Sequence, residues 1–215
     1  MEAARLFWPA RFGLIMLAAL ALPVAVVSLR YLAPVPAAAP PEILANRYFD
    51  PFLAVHAGFG ALALALGPVQ FLPVLRARFT ALHRVIGTAY VTACLAGGAA
   101  GLVLAAGSAA GPVASAGFGL LALAWIYTTG QGLMTALTGR FAVHRRWMIR
   151  SFALTFAAVT LRLQLPLSGM TGLEFHTAYL WISFTCWVPN LIAAELWIAL
   201  TRGGAHSQPA SRSFG

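Results

Sequence analysis

Histidines 56, 83, 144 and 176 sit at or near the ends of long apolar stretches, and in this 215-residue chain they are the side chains best suited to chemistry. Imidazole at membrane depth is costly and rare, so it marks a functional site by default. Depth sorts the four into two pairs. His83 and His144 belong to one side of the apolar layer, His56 and His176 to the other. One imidazole from each of two facing helices is a ligand set for b-type haem iron, which is tuned by axial ligands, second-shell hydrogen bonds and burial. Two such pairs would carry electrons across a bilayer. Ring nitrogens sharing one iron stand roughly 4 Å apart, about twice a metal–nitrogen bond. The plainer alternative is that each histidine bonds a neighbour or, for His83 and His144 among their arginines, a lipid head group.

The neighbours of these histidines add detail. At 100° per residue His56, Gly60 and Gly67 share a helix face, and His83, Gly87, Tyr90, Cys94 and Gly101 form another stripe. Small residues let a second helix or a flat ligand approach the backbone. His144 and Arg162 are five turns apart, about 27 Å along one straight helix. Arg162 therefore sits deep in the far half, needing a partner such as Asp50, Glu174 or an acidic cofactor group, or else snorkelling to the head groups. Glu195 is expected to pair with an inner arginine such as Arg84 or Arg145. Trp181, Trp187 and Trp197 suit interface anchors, core packing or cofactor neighbours alike. Cys94 and Cys186 fall mid-span and make no disulfide framework. A zinc centre wants about four ligands, and the chain has no Cys/His cluster of finger spacing.

The elements that must position these residues are membrane helices. The chain is 60% hydrophobic and 9% charged, with mean hydropathy +0.82. A spanning helix needs roughly 20 apolar residues, and the pattern predicts spans at 12–32, 52–75, 85–107, 113–137, 147–167 and 177–199. The runs are continuous rather than alternating, which excludes a barrel. The fold class is thus all-α: a polytopic bundle of six transmembrane helices. All 14 basic residues are arginine. They gather before span one, between spans two and three, between spans four and five, and after span six. The positive-inside rule then puts both termini in the cytoplasm of a bacterial inner membrane. The +9 charge suits anionic lipid rather than nucleic acid, because no single arginine face forms. The expected organisation is a first, uncleaved helix over 1–33, a stiff non-helical Pro/Ala-rich outer loop over 34–50, a five-helix core over 51–200 and a disordered cytoplasmic tail over 201–215.

The segments His56-Ala57-Gly58 to Val69-Gln70-Phe71, Leu82-His83-Arg84-Val85-Ile86-Gly87, His144-Arg145-Arg146-Trp147-Met148-Ile149-Arg150, Thr160-Leu161-Arg162 and Trp187-Val188-Pro189-Asn190 resemble the bacterial domain-of-unknown-function 2306 family. The likeness runs from about residue 50 to 200 and implies a multi-pass bacterial membrane protein without an established reaction. Histidines 56, 83 and 144 match its motifs; His176 does not. A looser, architectural likeness is to cytochromes of the b561 kind, from which the chain departs because span four has no histidine.

Two readings follow. In the first, the chain is a haem-b or quinone-linked electron-transfer protein. Its iron ligands would come from His83, His144, His56 and His176, and Arg162 would meet a propionate or quinone oxygen. In the second, it is a non-enzymatic membrane protein, an accessory subunit or lipid binder, whose partners are the bilayer and another membrane subunit. A transporter is less favoured: Gly67-Pro68 could interrupt a helix, but no paired broken helices in matching halves are read.

Overall fold

The computed structural model of the chain describes residues 2–33 and 41–203. Pro34, Pro36 and Pro40 of the expected loop, and the tail beyond residue 203, lie outside the described residues. The elements are α1 (Glu2–Ser28), a 3-10 turn (Leu29–Leu32), α2 (Pro41–Leu44), α3 (Phe49–Gln70), α4 (Pro73–Arg78), α5 (Thr80–Ala106), α6 (Pro112–Leu137), α7 (Phe141–Thr155), α8 (Ala157–Met170), α9 (Phe175–Thr185) and α10 (Val188–Gly203). No strand occurs among the described residues. Six segments there are long and apolar enough to cross a membrane: Phe12–Leu32, Phe49–Gln70, Thr80–Ala106, Pro112–Leu137, Phe141–Met170 and Phe175–Thr201.

In a membrane only helices satisfy the backbone within one segment, and lipid supplies no hydrophobic drive between them. Close packing therefore does the work, and glycine sits where a neighbour presses in. Phe152 of α7 fills the place a Cβ would take at Gly67 of α3, and Ile126 of α6 does so at Gly98 of α5. Outward-facing Val26, Leu123, Met134, Leu167, Ile192 and Leu200 form the lipid-facing surface. Trp181 and Trp197 also face outward, whereas Trp187 packs against the core and donates its indole N–H to the Ser183 carbonyl at 2.9 Å. Short connections make spans two to six successively antiparallel. Gly139, at φ 71°, turns α6 into α7, a backbone state that glycine adopts without a Cβ clash.

Three expectations change. Pro41 starts a helical turn, Pro41–Leu44, instead of continuing an extended loop, because proline is tolerated in a first helical turn. The tail's expected start at 201 lies inside α10, which runs to Gly203. Most consequential, spans five and six are both interrupted, at Phe156 and at Cys186–Trp187. In span six the cause is Pro189, which has no N–H for the carbonyl of Thr185. Gln164 Nε2 donates to that carbonyl instead, at 3.2 Å. The Asn190 amide joins both breaks, donating to the Cys186 carbonyl at 3.1 Å, Thr160 Oγ1 at 2.9 Å and, more weakly, the Ala153 carbonyl at 3.4 Å. The interruption at Phe156 falls where Ala153 would otherwise receive its helical donor, and side-chain insertion of this kind is a recognised cause of helix breaks. The two broken spans are sequence neighbours, not counterparts in two halves. Gly67-Pro68 leaves α3 helical through Gln70.

Candidate functional site

Spans one to three, five and six, with the far half of span four, enclose a cavity of about 500 Å³ in the half of the bundle away from most of the arginines. Its wall is mostly aliphatic and aromatic, which is the composition of small-molecule sites of this size. His56 of α3 and Arg162 of α8 both line it, as do Arg30 and Tyr31 of the 3-10 turn. The cavity is where the break at Phe156 matters. Ala157, Ala158, Leu161 and Arg162 follow that interruption, so the straight-helix register from His144 to Arg162 runs across it.

His56 is held by one contact. Its Nδ1 lies 2.8 Å from the carbonyl of Gly97 on α5. A carbonyl only accepts, so Nδ1 carries the proton and Nε2 of the neutral ring keeps its lone pair. This second-shell arrangement fixes the tautomer of metal-ligating histidines and raises their basicity. Gly101 makes it fit: a Cβ there would stand 2.9 Å from His56 Nδ1. At Gly60, one turn from His56, a Cβ would meet nothing within 4 Å, and that residue lines the cavity. The expected face of His56, Gly60 and Gly67 therefore divides into open space at Gly60 and close packing at Gly67.

Arg162 donates Nη1–H to the carbonyl of Ala158 at 3.0 Å. It pairs with neither Asp50 nor Glu174; the ion pair found among the described residues is Arg150–Glu195. Glu195 thus pairs with an inner arginine as expected, Arg150 rather than Arg84 or Arg145. Arg150 Nη2 reaches Glu195 at 2.8 Å, and the guanidinium lies over the Trp147 ring at 4.6 Å. Arg30 bonds the Tyr31 hydroxyl at 2.9 Å. The cavity thus contains two guanidinium groups and no carboxylate among its lining residues. His176 is exposed at the start of α9 and is not on the cavity wall, so it is not brought to His56 there.

The floor of the cavity is polar. Trp125 Nε1–H donates to Thr155 Oγ1 at 2.9 Å, and both residues line the cavity. The Tyr90 hydroxyl bonds Thr155 at 3.0 Å and Ser151 at 3.1 Å, and Ser151 bonds Thr129 at 2.7 Å. All five side chains are buried, at the meeting of α5, α6 and α7. Reading the sequence for histidine and glycine placed Tyr90 on a stripe but missed the rest. The available signals were Ser151 and Thr155 one turn apart, and Thr129 within an apolar span. Cys94 and Cys186 are free and buried, and Cys186 lines the cavity.

At the arginine-rich end, His144 repeats the arrangement of His56. Its Nδ1 lies 2.7 Å from the carbonyl of Gly132, so Nδ1–H donates. His83 is its electrostatic neighbour, together with Arg76. The Nδ1 of His83 and the Nε2 of Gln70 are buried without a hydrogen-bond partner among the described residues. No group of three or more His, Cys, Asp or Glu side chains gathers among the described residues.

No curated protein and no solved structure matches the chain. The family model described as a predicted membrane protein, DUF2306, matches residues 53–198. That range contains His56, His83, His144, Arg162 and both helix breaks, and leaves out span one with Arg30 and Tyr31. The chain belongs to the DUF2306 family of predicted membrane proteins.

Proposed function

We propose that this protein binds a lipid-soluble redox cofactor, of the haem b or quinone class, in the cavity beside His56, and that it serves electron transfer in the bacterial inner membrane. The observation that carries this reading is the His56–Gly97 bond, which leaves an imidazole lone pair on a residue that shares its cavity with the part-buried guanidinium of Arg162. Haem fits in part: His56 would supply one axial nitrogen and Arg162 a propionate contact, while no second histidine or methionine lines the cavity. A bound haem would supply one-electron chemistry. A quinol fits the same two groups, because Nε2 accepts a hydroxyl proton and Arg162 donates to an oxygen. In either case spans five and six contribute to the cavity wall, which is mostly aliphatic and aromatic.

The test is the small-molecule content of protein purified from haem-replete cells. A reduced-minus-oxidised α-band identifies haem, and organic extraction identifies quinone. Loss of either on His56→Ala or Arg162→Ala supports the proposal. A second reading, a lipid-binding or accessory protein, rests on Arg162 donating to a backbone carbonyl and forming no ion pair among the described residues. It requires a bound phospholipid and neither redox signal.

A further inference from the structure

The arginine-rich end has a polar group of its own, far from the cavity. Gln70 ends α3, Arg76 lies in α4, His83 is in the first turn of α5, and His144 and Arg145 are in the first turn of α7. Four elements therefore converge there. The Gln70 amide also reaches α5, since its Oε1 would stand 3.4 Å from a Cβ at Gly87. Buried polar atoms are almost always hydrogen-bonded, so the two orphans, Gln70 Nε2 on α3 and His83 Nδ1 one turn before Gly87 on α5, need an explanation. Gln70 Nε2 can only donate. Whatever completes it must accept.

Charge narrows the acceptor. Arg76 is near both His83 and Arg145, and His83 is near His144. Partial burial and the Arg145 guanidinium hold Arg76 below the usual guanidinium range, although it stays charged at neutral pH. Glu195, the acidic side chain at this end whose contacts are described, is already engaged by Arg150. Like charges crowd here with no carboxylate among them. We propose that Gln70, Arg76, His83 and His144 form a second binding site for a phosphate group, carried by an anionic phospholipid or free in solution. Phosphate has enough oxygens to accept from the Gln70 amide, the His83 ring and the Arg76 guanidinium at once, and charge-assisted bonds of this kind are the strong ones. The position, at the end of three spans, is where head-group phosphates of one leaflet lie.

The test is thermal unfolding of the full chain in neutral detergent at constant ionic strength. One arm adds inorganic phosphate, the second phosphatidylglycerol and the third phosphatidylcholine. Phosphatidylglycerol or inorganic phosphate should raise the midpoint by roughly 5 °C at saturation, and phosphatidylcholine should not. A response to inorganic phosphate assigns a free anion; a response to phosphatidylglycerol alone assigns a lipid. Gln70→Leu removes the orphan donor, so its midpoint without ligand should equal or exceed the wild type while its response falls at least about threefold. Arg76→Ala should weaken the response similarly, and His56→Ala should leave it intact, separating this site from the cavity. The proposal is overturned if neither phosphate source shifts the wild type, if phosphatidylcholine shifts it equally, or if Gln70→Leu and Arg76→Ala respond like the wild type.

Discussion

His56 and His83 enter the bundle from opposite ends and finish in opposite circumstances. His56 is fixed by the Gly97 carbonyl and lines a cavity of about 500 Å³. His83, one turn before Gly87 on α5, has its Nδ1 buried and without a hydrogen-bond partner among the described residues, and the same holds for Nε2 of Gln70. One end holds its histidine by a backbone carbonyl beside open space; the other, although His144 is held in the same way, leaves two nitrogens without a partner among the described residues. A large apolar guest suits the first arrangement, and a compact polar one suits the second. Between them lies the layer of Tyr90, Thr129, Ser151 and Thr155 hydroxyls, which ties α5, α6 and α7 at mid-depth.

The contrast breaks most readily at the cavity. His56→Ala should lower the amount of co-purified cofactor at least about tenfold, as loss of a ligating or orienting histidine does. Quantitative absorbance or extraction per mole of protein checks it, and retention of the cofactor would remove His56 from the account. Two glycines on the same helix sharpen the point. Gly60→Leu enters open space, so it should leave the unfolding midpoint near wild type while displacing the cofactor. Gly67→Ala meets the Phe152 ring, so it should cost about 1–3 kcal/mol of stability through overpacking. Comparing unfolding curves with cofactor content separates these outcomes. Equal destabilisation by both would deny that the cavity is open at Gly60.

Smaller effects belong to the layer between the ends. Tyr90→Phe deletes a hydroxyl bonded to Ser151 and Thr155 and should cost about 1 kcal/mol, near the usual value for a hydrogen bond within a membrane bundle. A neutral result in denaturant titration would mean the layer repacks without it. The smallest effect is expected from Glu195→Gln. Its partner Arg150 is largely covered but Glu195 is 48% exposed, so the loss should stay below about 1 kcal/mol and shrink with added salt.

The membrane class and the six spans were legible because apolar runs of this length admit no other reading. His56 and Arg162 were legible as deep polar groups, and the cavity lines them both. Their relation to His144 and His176 was not, because helical arithmetic assumes an unbroken helix. Pro189 was visible in the sequence, yet its effect on span six depends on Gln164 of α8 supplying the missing donor to the Thr185 carbonyl across a helix interface. The break at Phe156 has no proline or glycine at the site, and its contact with Asn190 comes from 37 residues away. The hydroxyl layer was obscured for a related reason. Serine and threonine inside a membrane span satisfy themselves on their own backbone as readily as across helices, as Thr128 does with Ala124 and Trp125. Only the tertiary contact separates Thr129 from Thr128.

The central claim is that the cavity beside His56 and Arg162 holds a redox-active guest. Mass spectrometry of the organic extract from purified wild-type and Arg162→Ala protein tests it most directly. The account predicts haem or quinone in the wild-type extract, near one per chain, and its loss from the variant. A wild-type extract holding only phospholipid, in the proportions of the surrounding membrane, would contradict it.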